Sequence, residues 1–129
     1  MMANILIAED GILNAMYGNY NQIKSEVTIF TAETNEDALK IAMRHPLDAI
    51  LYDIGLGEGV TGYDFPTIER LRKIRPQTVI FGITFNPISY YEEYKEHFDG
   101  LISSMDILRG NIKLNELLRD NCGIVIERK

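Results

Sequence analysis

The sequence predicts one α/β domain in three layers: a doubly wound, five-stranded parallel sheet with helices on both faces. Three observations carry this. Short apolar runs alternate along the chain with stretches whose apolar residues recur at helical spacing, the pattern of consecutive βαβ units. The apolar runs are continuous rather than alternating, as strands are when helices cover both faces of a sheet. The chain has 129 residues, close to the commonest domain size, enough for one core and too few for two ordinary ones.

Residues 4–8, NILIA, form the first strand. Ile12, Leu13, Met16, Tyr17, Tyr20 and Ile23 mark a helix over 12–23. Residues 27–31, VTIFT, are rich in strand formers. Thr34 and Asp37 then have the spacing of a capping box, with Asp in place of Glu. The helix they open has Ala38, Ile41 and Ala42 on one stripe and stops before Pro46. Residues 48–53 are the third strand. A helix over 64–74 follows, with Ile68, Leu71 and Ile74 on one side and Pro76 beyond its end. Residues 78–84, TVIFGIT, are the fourth strand, 89–97 a short helix, and 100–103, GLIS, a short fifth strand. The last helix, 111–122, is capped by Asn111, carries Leu114, Leu117 and Leu118, and ends at Gly123. The domain is expected over 1–122, with 123–129 as a tail or the start of a linker. That tail, GIVIERK, is apolar at Ile124, Val125 and Ile126.

Composition narrows the function classes. The chain is 46% hydrophobic and 25% charged, as in a soluble globular protein, and its net charge of −6 argues against general nucleic-acid binding. No apolar run approaches the roughly 20 residues of a membrane span, and the N-terminus lacks the parts of a signal peptide. With one cysteine, Cys122, there is no internal disulfide, so a cytoplasmic setting is expected.

In open parallel sheets, ligands bind outside the carboxyl ends of the strands. Glu9 and Asp10 end the first strand, Asp53 the third, Thr84 the fourth, and Ser103 and Ser104 the fifth. Three carboxylates from separate segments thus converge on one edge, where like charges destabilise one another unless a proton or a cation intervenes. Oxygen donors alone select Mg²⁺, Mn²⁺ or Ca²⁺ rather than zinc. Capping of the 12–23 helix would account for Asp10, but not for a second acid beside it or a third at Asp53.

With these residues in place, the sequence resembles a response-regulator receiver domain of two-component signalling, from ILIAED through LYDIGLGEGVTGYD and Thr84 to DGLISS and the final helix. The resemblance implies the flavodoxin-like (βα)5 receiver fold. It implies that Asp53 accepts a phosphoryl group from a sensor histidine kinase or phosphotransfer protein. It implies that Glu9, Asp10, Asp53 and the backbone carbonyl of Gly55 hold Mg²⁺ or Mn²⁺, and that the Thr84 hydroxyl acts as a switch. Chemistry would be limited to self-phosphorylation and autodephosphorylation at Asp53.

Three positions depart from the pattern. Ser104 stands where the family has a lysine, Leu101 where it has a switch aromatic, and Phe85 where it has a small residue after the threonine. The alternative implied is a receiver-like protein-binding module that works without phosphorylation. Tyr90, Tyr91 and Tyr94 fall on the helix over 89–97, which in receivers belongs with strand five and helix five to a surface for output or self-association; packing against the sheet explains them equally well. His45 and His97, at helix ends, read as partners of the helix dipole.

Overall fold

The computed structural model describes residues 3–9, 27–54, 65–84 and 96–103, with Glu116, Arg119, Asp120 and Gly123 beyond them. The helix expected over 12–23, the loop after Ile54 and most of the helices over 89–97 and 111–122 lie outside the described residues.

Five strands form one parallel sheet: β1 (Ala3–Ala8), β2 (Val27–Ala32), β3 (Ala49–Asp53), β4 (Val79–Thr84) and β5 (Gly100–Ser103), in the order β2-β1-β3-β4-β5. This is the doubly wound architecture expected, with β2 and β5 at the edges. Two helices, Asn35–Arg44 and Phe65–Ile74, are the crossovers into β3 and β4.

Register fixes which side chains share a face. Ile5 pairs with Ala49 and Ala8 with Tyr52; Ala49 pairs with Val79 and Asp53 with Ile83; Gly82 pairs with Leu101 and Thr84 with Ser103. Paired residues project to the same side, and the side alternates along each strand. Leu6, Ala8, Ile50, Tyr52 and Ile80 therefore line the face that packs on Ala38 and Ala42 of one helix and Ile68 and Leu71 of the other. Ile5, Ile7, Leu51, Phe81, Ile83 and Ile102 line the opposite face, and all six are fully buried. Burying each large aliphatic side chain contributes about 1.5–3 kcal/mol, so strands apolar on both faces supply most of the core.

The local signals explain the helix ends. Thr34, in extended conformation, accepts a hydrogen bond at Oγ1 from the Asp37 backbone N–H at 3.1 Å. At the other end His45 is extended, its N–H donating to the Ile41 carbonyl at 2.9 Å, and Pro46 prevents continuation. Gly123 adopts φ 69° and donates its N–H to the Arg119 carbonyl at 3.0 Å, a left-handed helix terminator.

β3 starts one residue later than the sequence predicts, and the starts of β3 and β5 are pinned in the same way. Asp48 precedes β3 and Asp99 precedes β5. The Asp48 N–H donates to the Asn4 carbonyl at 2.8 Å, and the Asn4 N–H donates to Asp48 Oδ2 at 2.8 Å. Asp99 repeats the pattern on Ile80, with both bonds again 2.8 Å. Each carboxylate takes the backbone N–H that the ladder leaves over where it begins. The sequence marks of these pins are LDAI and FDGL: an apolar residue, Asp, a small residue, then the strand. Asn4 Nδ2 also donates to the Pro46 carbonyl at 2.7 Å.

Gly82 lies where β4 passes closest to its neighbours. A Cβ there would stand 2.8 Å from Leu101 Cδ2 and 3.1 Å from Ile54 Cδ1. Gly82→Ala is expected to destabilise the domain by about 1–3 kcal/mol through overpacking, measured by denaturant titration. Adding Leu101→Ala should recover part of that loss, and strictly additive effects would show that Leu101 is not the obstacle.

Candidate functional site

The order β2-β1-β3 reverses the winding of the sheet between β1 and β3, because the chain leaves β1 towards one edge and continues from β3 towards the other. In doubly wound sheets, helices on opposite faces diverge at such a point and leave a crevice at the carboxyl ends of the two strands. The last β1–β3 pair is Ala8 with Tyr52. One residue further, Glu9 comes opposite Asp53, and alternation puts both on the face of Ile7 and Leu51.

Glu9 is fully buried, and its backbone N–H donates to the Ala32 carbonyl at 2.9 Å, tying the end of β1 to the end of β2. Asp53 is half-buried. The ladder continues past it, with the Ile54 N–H donating to the Ile83 carbonyl at 2.9 Å, so the backbone that carries Asp53 is held on both sides. Charged groups taken out of water this far are expensive unless paired with opposite charge and hydrogen-bonded. A buried carboxylate facing a half-buried one across the switch point suits a hard cation or a bound proton, and offers nothing to a soft metal. Among the described residues no three His, Cys, Asp or Glu side chains gather into a ligand set; Asp10 and Gly55, expected to complete it, lie outside those residues.

Thr84 follows Ile83, the register partner of Asp53, and is 2% exposed. It closes β4 beside Ser103 of β5. The structure thus brings Glu9, Asp53 and Thr84 to one edge of three adjacent strands. Ser104, Phe85 and Tyr90, Tyr91 and Tyr94 lie outside the described residues. Leu101 does not: it is half-buried on the face of Gly82, in the space that the missing Cβ leaves.

The histidines belong elsewhere. His45, at its helix C-terminus, stacks on Phe30 with ring centroids 4.4 Å apart and an interplanar angle of 25°. The His97 carbonyl accepts from Arg72 Nη2 at 2.7 Å. Both precede strands, at the sheet edge opposite Glu9 and Asp53.

One residue of the site region escaped the sequence reading. Tyr52, next to Asp53, is fully buried on the opposite face, and its hydroxyl donates to Asn35 Oδ1 at 2.6 Å. Asn35 is the first residue of the Asn35–Arg44 helix. The strand end that carries Asp53 is thereby fastened to the start of that helix. The available signal was a phenol in an otherwise aliphatic run, AILYD, since buried tyrosines find a partner for their hydroxyl. Tyr52→Phe is expected to lose about 1 kcal/mol of stability, read from the shift in denaturant midpoint at unchanged slope.

No protein-family model matches the chain, and no curated protein sequence matches it. Solved structures do. The receiver domain of a sensor histidine kinase from Pseudomonas aeruginosa, with a magnesium ion coordinated in its active-site cleft, superposes with a TM-score of 0.72 at 18% identity, over 96% of this chain and 100% of that one. A chemotaxis response regulator of Vibrio cholerae gives 0.68 at 20% identity, over 92% and 100%. A response regulator of Burkholderia pseudomallei, solved with a phosphorylated aspartic acid, a calcium ion and citrate, gives 0.63 at 20% identity, over 92% and 75%. The chain has the fold of response-regulator receiver domains.

Proposed function

We propose that the chain is a phosphoaccepting receiver of a two-component phosphorelay. It takes a phosphoryl group from a sensor histidine kinase or phosphotransfer protein onto Asp53. The observation that carries this is the register that sets buried Glu9 opposite Asp53 at the switch point of a receiver fold. The three similar structures, two with a divalent cation and one with a phosphorylated aspartate, support the reading by analogy of fold.

A carboxylate oxygen of Asp53 attacks the phosphorus of the donor's phosphohistidine. The phosphorus–nitrogen bond breaks, the imidazole leaves with the electron pair, and an aspartyl phosphate remains. Glu9, Asp10, Asp53 and the Gly55 carbonyl would hold Mg²⁺ or Mn²⁺, whose ligand preference is for oxygen. When bound, the cation offsets the charge of the carboxylates and of the phosphoryl oxygens. Thr84 donates its hydroxyl to a phosphoryl oxygen. The chain's own chemistry ends at gain and loss of this group, in the cytoplasm, where the donor's histidine is presented.

Coupling from Asp53 to the far surface is weak in this reading. A lysine at the place of Ser104 would add a charge-assisted contact to the phosphoryl group, and such bonds contribute roughly 1.5–3 kcal/mol. Its loss lowers the switched population by roughly 10–150-fold. Leu101, seated against Gly82, stands in place of the aromatic ring that would follow Thr84 inward.

Incubation with Mg²⁺ and acetyl phosphate should add the mass of one phosphoryl group, removable by hydroxylamine, and Asp53→Asn should take up none. Uptake by Asp53→Asn would refute the acceptor, and no uptake by the wild type would favour the protein-binding alternative. Asp10→Asn should weaken Mg²⁺ binding by calorimetry at least about tenfold, a loss of roughly 1.4 kcal/mol, with little change in melting temperature; equal affinity would remove the metal site.

Coupling is read separately. Beryllofluoride with Mg²⁺ should shift backbone amide resonances around Asp53 and Thr84 strongly, and those of β5 and the segment with Tyr90, Tyr91 and Tyr94 only weakly. Ser104→Lys should enlarge the distal response. A full distal response in the wild type would show that coupling here does not need the lysine.

A further inference from the structure

We propose that the sheet edge opposite the carboxylates is a docking surface for an acidic segment of a partner protein that carries an apolar anchor residue. Both described helices run back against the strands, so their C-termini meet at the edge where β3 and β4 begin. Arg75 joins them, donating from Nε to the Ala42 carbonyl at 2.8 Å. Between them lies a pocket of about 240 Å³, lined by Pro46, Leu47 and residues 74–78. Its floor is built: Leu47 and Thr78 are buried, and Thr78 Oγ1 donates to the Leu47 carbonyl at 2.5 Å. Its walls are apolar side chains of Pro46, Ile74 and Pro76, with Arg75 at the margin.

At these helix ends cations outnumber carboxylates in a chain of net charge −6, with Arg44, Arg70, Lys73 and Arg75 against Asp48 and Glu69. Arg44, Arg70 and Lys73 are exposed. Spacing places Arg70, Lys73 and Ile74 on one helix face. Among the described residues no carboxylate pairs with Arg44, Arg70, Lys73 or Arg75, whereas Lys40 is matched by Glu36 and Arg72 by Asp99. Asp48, which also precedes β3, already accepts the Asn4 N–H at 2.8 Å. Met43 is 67% exposed, the one large hydrophobic side chain so exposed among the described residues. Cations in a last helical turn offset the helix dipole, which accounts for Arg44 and Lys73 singly. It does not account for an apolar pocket between the two helix ends or for the exposure of Met43. Charge complementarity selects an acidic partner, and the pocket holds one aliphatic or aromatic side chain. The inference does not depend on phosphorylation of Asp53.

The test uses the unphosphorylated full chain and a short fluorescent peptide with one leucine among aspartates and glutamates. Two controls replace the leucine by serine or the acids by lysine. The acidic leucine peptide should shift the amide resonances of Leu47, Ile74, Gln77 and Thr78, and bind more weakly as salt rises. Both controls should bind less tightly. Arg44→Glu with Lys73→Glu should weaken binding about tenfold or more, and the corresponding Gln pair less. These positions are exposed, so an unchanged melting temperature confirms that the variants fold. Absence of shifts at this edge would overturn the proposal. So would equal binding by either control peptide, or affinity unchanged in the charge-reversed variant. Self-association of the chain, abolished by the same variant, would assign the surface to a second copy and overturn it too.

Discussion

The in-register pairing of β1 with β3 is the constraint on which the rest of the molecule depends. Side chains alternate with a period of two, so a slip of one residue would send Glu9 and Asp53 to opposite faces and turn Leu6 and Ala8 away from the helices that cover them. Ile5 with Ala49 through Ala8 with Tyr52 sets this register. The pin between Asn4 and Asp48 defines where it starts, and the bond from Glu9 to Ala32 carries β1 on to β2 at its end. Core burial and the meeting of two carboxylates are consequences of one alignment.

The two edges of the parallel sheet use acids in different ways. At the amino edge, Asp48 and Asp99 are consumed by backbone donors. Hydrogen bonds stabilise both charges, and Asp99 has Arg72 as well, whose Nη2 lies 3.5 Å from Asp99 Oδ2. At the carboxyl edge Glu9 comes opposite Asp53 across the β1–β3 register. An acid before a strand holds the sheet together; acids after strands gather where parallel sheets bind their ligands. The strand end that bears Asp53 is stiffened from behind, where Tyr52 reaches Asn35 and Ile54 reaches Ile83. The acceptor role proposed for Asp53 calls for such a support, since reactive geometry is lost with small displacements.

The path away from the site is held as well. Leu101 fills the space over Gly82, and Arg72 and Asp99 fasten the segment before β5 to the Phe65–Ile74 helix and to Ile80. A ligand shifts a conformational equilibrium only by its differential affinity for the two states. β5 is held at both its packing face and its start, and position 104 carries a neutral serine, which fits the weak coupling proposed for this chain.

The sequence by itself determined the class of fold, the strand and helix content of the described regions, and which residue types gather at the carboxyl edge. Periodicity and capping are local: NILIA, AILYD, the Thr34 to Asp37 spacing and Gly123 act through neighbours a few residues away, so composition at those positions suffices. The start of β3 falls one residue later than the sequence predicts because Asp48 acts across strands, on Asn4. Tyr52 was passed over because its partner, Asn35, is 17 residues away. The acids could be named as a set from the sequence, but that Glu9 is fully buried and comes opposite Asp53 was decided only by the β1–β3 register. The pocket between Pro46 and Thr78 was likewise invisible, since two helix ends and two strand starts form it together. Local preferences are written residue by residue; register, and what it brings face to face, belongs to the whole sheet.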